Sequence, residues 1–395
     1  MMSKNEFVLQ IPYGTRDFLP GEAACKREIE DSLAEVFDQW GYDEVVTPTI
    51  EYLDTLTIGN GSEVEPHMFK FFDKNNRTLA LRHEMTTPIA RVAASRLAEV
   101  EFPLKLSYIT NVYRYEQAQT GRQCEFYQAG VELMGMTAAT ADAEVIALAI
   151  ESLRQAGLEN FQISLGQVEF INGVMKQFKL SAKQQQEIKH AMVTRNLVEL
   201  GNMLDKSELG KNAKEILKKI PLLHGKIDML KSVYHMICNE QSKRALDNLN
   251  EIYNLLDSYG VAEYVNFDLG VIRDFNYYTG MVFEAYTPGL GFPLCGGGRY
   301  DNMLSDFGTA CPATGFALGI ERIMLALERQ GLSISAKNKD IYIGWGEGKV
   351  IEAIKRAKEL RGEDKLVEIG LQAQTKKDAE SYQHAKNYNQ LIYID

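Results

Sequence analysis

Strand-like runs crowd the first third of this chain, stop near Asn172, and do not return until Val265. A sheet begun before that gap and resumed after it has to close over a long segment that contributes little to it. Between 172 and 259 the composition turns to Lys, Gln, Leu and Glu at helical spacing, which predicts a helical insertion. The early strand-like runs are 44–47, 77–82, 105–116 and 124–134, separated by turns. A helix over 21–40 places Ile29, Leu33, Val36, Phe37 and Trp40 on one face and stops at Gly41. A second helix is expected over 140–155, ending at Gly157. Beyond the gap come strands at 265–268 and 281–285, a glycine cluster, and an apolar helix expected over 315–327. After a polar link at 333–338 the tail reads strand 341–344, helix 349–360, strand 366–369, helix 375–387 and strand 390–394. The fold class is therefore α+β, a largely antiparallel sheet with flanking helices, a helical insertion and a small α/β C-terminal domain. Its expected boundaries are 1–171 and 261–330 for the two parts of the sheet domain, 172–260 for the insertion, and 339–395 for the tail. A length of 395 residues fits such a multidomain chain.

Composition narrows the function classes. Hydrophobic residues at 45% and charged residues at 25% exclude a disordered or low-complexity protein. No apolar run reaches the length of a membrane span and the start MMSKNEFVLQIPYG is too polar for a signal peptide, so a cytoplasmic protein is expected. Five scattered Cys, none in CxxC spacing, argue against a disulfide framework and a zinc site; no metal or cofactor is expected. A net charge of −11 disfavours a broad nucleic-acid footprint.

Strand side chains alternate, so Tyr108, Val112, Arg114 and Glu116 share one face of the 105–116 run, and Phe126, Gln128, Gly130 and Glu132 share one face of the next. Paired as a hairpin, these residues offer Arg, Glu, Phe, Gln and Glu on a common surface. It would suit a ligand with a flat ring, an anionic group and an ammonium group; a cross-strand salt-bridge ladder is the alternative. In LRHEMTTP, Glu84 and Thr86 open a helix, as caps or as acceptors for a ligand amine. His83 reads as packing or surface, since no second His or Cys stands at metal-ligand spacing. Arg273, ahead of Tyr277 and Tyr278, is either a structural ion pair or a carboxylate fork beside two rings. The CGGGRYDNM glycines permit close backbone approach or merely a turn. In GFALGIERIML, Arg322 could face a nucleotide from a helix whose Gly315 and Gly319 allow close packing. No GxGxxG follows a strand and no Walker-type motif occurs.

In order, these runs resemble the core of the class II aminoacyl-tRNA synthetases, and within it the histidyl branch. IPYGTRDFLP is similar to that family's opening, TPTIE to its dimer-forming first motif, YRYE through EFYQ to its second and GFALGIER to its third. IRDFNYYTG and GGGRYD are similar to its histidine-associated signatures. Several positions depart from that pattern: His83 and Met85 flank Glu84, Cys124 replaces a basic residue, Asp274, Phe275 and Asn276 follow Arg273, and the C-terminal domain is truncated. MTTPIAR and the short tail resemble a paralogous family, the synthetase-like regulatory subunits of ATP phosphoribosyltransferase. That resemblance implies a subunit without catalysis of its own, partnered by a short-form catalytic subunit at the first step of histidine biosynthesis. It further implies feedback by histidine, and a homodimer within a hetero-octamer, without tRNA. Histidine would lie with its amino group at Glu84, Thr86 and Gln128, its carboxylate at Arg273, and its imidazole at Glu132 with Tyr277 or Tyr278. Arg114, Glu116, Phe126 and Arg322 would form a nucleotide-like pocket. A histidine–tRNA ligase and a stand-alone amino-acid sensor are the competing expectations.

Overall fold

The computed structural model describes residues 9–59, 61–115, 123–194, 196–271, 277–308, 310–332 and 339–395. Strands among them, in chain order, are β1 (Asp43–Glu44), β2 (Ile50–Tyr52), β3 (Lys70–Phe72), β4 (Thr78–Leu81), β5 (Leu104–Tyr113), β6 (Glu125–Met134), β7 (Gln162–Gln167), β8 (His224–Gly225), β9 (Val265–Asp268), β10 (Met281–Tyr286), β11 (Cys295–Arg299), β12 (Ala313–Gly319), β13 (Lys339–Trp345), β14 (Val367–Ile369) and β15 (Tyr388–Ile394). Two compact units hold them: one of 9–18 with 26–332, the other of 339–395 with Leu19–Cys25.

The main sheet of the large unit runs β1-β5-β6-β12-β11-β10-β7-β9-β8, antiparallel except where β1 meets β5 and β7 meets β9. Second and third from one edge lie β5 and β6, the hairpin expected from the alternation, with Val112 opposite Phe126, Thr110 opposite Gln128 and Leu106 opposite Glu132. The late strands complete the early sheet, since β12 lies against β6 and β10 against β7. Strand β7 escapes the sequence reading because QISLGQ is short and half polar, and β8 is a two-residue strand inside the otherwise helical segment. A second sheet of order β2-β4-β3 also went unforeseen in two of its strands.

The helix expected over 315–327 is corrected: Ala313–Gly319 is strand β12 and the helix covers Ile320–Arg329. Gly315 and Phe316 read locally like helix, but the strand is set between β6 and β11, where nonlocal pairing outweighs local preference. Of the two readings open for the CGGGR glycines, the turn is not the one realised: they form β11. A Cβ on Gly297 would meet the Gly315 carbonyl oxygen at 2.3 Å and the Phe283 ring at 2.7 Å, so the sheet closes there only around glycine.

The helix Ala139–Gln155 is buried nearly all round, Val145, Ile146, Leu148, Ile150 and Leu153 having no more than traces of exposure, because it is covered by the sheet on one side and the helix Glu240–Ser258 on the other. It is tied to β11 by Asp142, which pairs with Arg299 at 2.9 Å with both groups buried; Arg299 also donates to the Met136 carbonyl at 2.9 Å. In the smaller unit β14-β13-β15 are parallel, as the alternating tail predicts. Ile341, Ile343, Trp345, Ala353, Ala357 and Leu360 form its core on one face, with the Trp345 indole donating to the Gly370 carbonyl at 2.6 Å.

Candidate functional site

Glu132 faces the same side of β6 as Phe126 and Gln128, and its neighbours across the sheet are Leu106 on β5 and Gly315 on β12. A Cβ on residue 315 would lie 2.1 Å from Glu132 Oε2, so glycine there makes the space the carboxyl occupies. Tyr300, held just past β11 by its N–H to the Ala313 carbonyl at 2.8 Å, donates its hydroxyl to that same Oε2. The Thr86 side chain supplies a second hydrogen bond. Glu132 is only 2% exposed. Burial away from water pushes its carboxyl up to about 8, and the charge of Glu84 adds in the same direction against the two hydrogen bonds. At neutral pH it is a protonated acid that can both donate and accept.

Around it stand phenols. Tyr108, Tyr277 and Tyr300 are buried, and burial raises all three well above the ordinary tyrosine value, so they remain neutral donors. The Tyr277 ring is 4.7 Å from that of Tyr278 and meets Tyr300 edge-on at 5.7 Å. A Cβ on Gly130 would lie 2.5 Å from the Tyr108 hydroxyl, so that glycine makes room for the phenol. Carboxylic acid and phenols together suit a small ring with one N–H donor and one nitrogen acceptor.

The strand-to-helix turn beside this cluster is fixed from both sides. Arg82, 3% exposed, donates Nε to the Asn111 carbonyl at 2.9 Å and Nη1 to the Thr47 carbonyl at 2.8 Å, and further to Thr110 and the Asn111 side chain. Two residues on, the Glu84 carboxylate accepts from the Thr86 N–H at 2.7 Å and the Thr87 N–H at 3.0 Å, capping the helix Thr86–Ser95. Of the two readings open for Glu84, the cap is the one realised here, though each oxygen retains acceptor capacity. Between them His83 is buried, and neither ring nitrogen has a hydrogen-bond partner.

Glu84, Thr86, Glu132, Tyr277 and Tyr278 thus meet in one cluster, with Gln128 further along the same strand face. Arg114 donates Nε to the His83 carbonyl at 3.0 Å and lies 5.2 Å from the Phe126 ring centre, so those two expected pocket residues are adjacent. Arg322 follows β12 on an exposed helix position, donating to the Pro293 carbonyl at 2.6 Å beside Phe292. Glu116 and Arg273 lie outside the described residues. Tyr108 and Tyr300 were not singled out from the sequence. The sequence signal for Tyr300 is its place in GGGRYD; Tyr108 lies on the expected face of its strand, and alternation alone assigns it no role. No group of His, Cys, Asp or Glu able to hold a metal ion occurs among the described residues.

A largely antiparallel sheet with a carboxyl-and-phenol cluster on β6 and beside β11 is the class II aminoacyl-tRNA synthetase fold. The histidyl-tRNA synthetase family matches residues 14–323. The solved histidyl-tRNA synthetase of Nostoc, at 19% identity, shares the fold with a TM-score of 0.85 over 98% of this chain and 92% of that one. A structure from Bacillus halodurans, described as an ATP phosphoribosyltransferase regulatory subunit/histidyl-tRNA synthetase, superposes with a TM-score of 0.89 at 36% identity, covering 98% of this chain and 99% of that one. The ATP phosphoribosyltransferase regulatory subunit of Moorella thermoacetica is 42% identical over 96% of this chain and 97% of its own length, and that of Halothermothrix orenii 43% over 89% and 84%. This chain belongs to the family of ATP phosphoribosyltransferase regulatory subunits, a histidyl-tRNA synthetase-like branch.

Proposed function

We propose that this chain is a non-catalytic regulatory subunit that works with a separate short-form catalytic subunit of ATP phosphoribosyltransferase at the first step of histidine biosynthesis. Histidine is its feedback effector. The observation that carries this reading is near-full-length identity with chains of that name, 42% across 96% of this sequence. The pocket chemistry agrees with it. Glu132, protonated and flanked by Tyr277, Tyr278 and Tyr300, suits the imidazole; Glu84, Thr86 and Gln128 form an acceptor-rich end for the amino group; Arg273 takes the carboxylate. The working assembly is a homodimer of this chain within a hetero-octamer, in the cytoplasm, and tRNA is not a partner.

Feedback requires histidine to favour one state of the complex over another, so occupancy of the pocket has to alter the transferase through the subunit contact. The test is co-expression with a short-form catalytic subunit, followed by sizing and transferase assay with and without histidine. Co-elution, with activity that depends on this chain and falls with histidine, is the expected result. Separate peaks and a transferase indifferent to this chain would refute it. Robust histidyl-tRNA formation by the chain alone would replace it with the ligase reading.

A further inference from the structure

Among the described residues the sheets have six edge strands, and five of them are too short to guide another chain. β1, β8, β14, β2 and β3 have three residues or fewer, and β1 consists of Asp43 and Glu44 alone. β15 is the exception. It runs for seven residues, YNQLIYI, without a charge or a proline. It has no bulge either, since its register with β13 is unbroken from Lys339 opposite Tyr388 to Trp345 opposite Ile394. No described strand lies on its other side, and a bare edge of this length and composition is a template for a further strand.

The register also fixes where the backbone groups point. The Gly346 N–H donates to the Ile394 carbonyl at 2.9 Å, so Ile394, and by alternation Ile392 and Gln390, turn N–H and carbonyl towards β13. Asn389, Leu391 and Tyr393 turn theirs outward. We propose that β15 is a self-association edge, where a second copy of this chain adds its own β15 antiparallel about a twofold axis through Leu391. In that register every outward group is met, because Leu391 faces Leu391 and Asn389 faces Tyr393 on either side of it. Ile392 and Ile394 lie at the margin of the core formed with the helix Val350–Arg361, and Leu391 and Tyr393 at the margin of the cluster around Tyr342 on the other face. Pairing carries both apolar clusters across the axis, with Ile392 opposite Gln390 and Leu391 opposite itself. The charges at the two ends select an identical partner in the antiparallel sense. Lys386 stands just before the strand and Asp395 just after it. Antiparallel copies bring Lys386 of one to Asp395 of the other, whereas parallel copies would set like charges together. The edge belongs to the smaller unit and TPTIE to the large one, so a chain that uses both contacts assembles beyond a dimer. None of this depends on histidine or on the catalytic subunit.

Analytical ultracentrifugation of the full chain by itself tests it, on the parent, on Leu391→Lys, on Leu391→Glu and on an equal mixture of those two variants. Each substitution sets like charges face to face on the axis, so each variant should have half the parent's mass or less. In the mixture Lys meets Glu and the parent's mass should return, which misfolded variants could not achieve. Asn389→Pro gives an independent reading. On a free edge it removes only an N–H that faces water, but on a paired edge it deletes a hydrogen bond on each side of the axis and should likewise lower the mass. Hydrogen exchange measures the pairing directly: the amides of Asn389, Leu391 and Tyr393 should be protected like those of Gln390, Ile392 and Ile394. The proposal is overturned if both charged variants keep the parent's mass, if mixing them restores nothing, or if the outward amides exchange freely. Protection that arises only when the short-form catalytic subunit is added would also overturn it, by giving the edge to a strand of that partner.

Discussion

Replacing Glu132 by Gln keeps the shape of the side chain and removes its titration. In the unfolded chain this carboxyl titrates at about 4.5; in the folded protein it does so at about 8, because burial disfavours the anion more than Tyr300 and Thr86 favour it. Between those values the native state holds a proton that the unfolded state has lost, so folding stability falls as pH rises across the window. The contribution is fully present below pH 4.5 and gone above pH 8, an effect on the order of 5 kcal/mol at about 1.4 kcal/mol per pH unit. From about pH 5.5 to about pH 8.5 the parent should lose about 3–4 kcal/mol that Glu132→Gln does not lose. Urea titrations of both proteins at several pH values measure it. At acid pH the two midpoints should lie close together, and at alkaline pH the variant should be the more resistant. Parallel pH profiles would show that Glu132 is already ionised at neutral pH, and the reading of the pocket as a protonated acid among phenols would fall.

Other substitutions probe the frame around the pocket. Asp142→Asn leaves the buried Arg299 with Asp301 as its remaining carboxylate, and should lower stability by about 1–3 kcal/mol in a urea titration. Gly315→Ala drives a methyl group onto Glu132 Oε2; a loss of about 1–3 kcal/mol is expected, together with loss of histidine binding by calorimetry, and unaltered binding would place the ring site elsewhere. Arg82→Met strands the acceptors at Thr47, Thr110 and Asn111, so a loss of about 3 kcal/mol or more is expected from the urea midpoint, and a near-neutral result would mean water satisfies them. Arg273→Ala should weaken histidine about 10- to 100-fold by calorimetry while sparing assembly with the catalytic subunit.

The hairpin of β5 and β6 was legible because its side chains alternate over ten residues on each strand, and that pattern alone set Phe126, Gln128 and Glu132 on one face. Gly315 to Gly319 was not: the stretch continues smoothly into the amphipathic helix Ile320–Arg329, and only its partners on β6 and β11 make it a strand. Tyr300 and Asp142 share that difficulty, since the contacts that give each its place lie 168 and 157 positions away in the chain. For His83 the want of ligand-spaced neighbours leaves packing and surface both open; the structure buries it without a hydrogen-bond partner, which no spacing reveals.

The order of the main sheet also bears on how the chain is made. Strand β6 is complete when Met134 leaves the ribosome, but the strand that covers its free edge, β12, begins at Ala313. Glu132 waits 168 residues for Tyr300, which at about 5–20 residues per second is roughly 10 to 30 s of synthesis. Throughout that interval a ten-residue strand, buried along its second half in the finished protein, presents unpaired N–H and carbonyl groups to whatever is near. The helical residues between are translated during the same wait and can fold early from local contacts. The nascent protein is therefore most exposed to aggregation in the middle of its synthesis, at the open edge of β6, until β11 and β12 arrive.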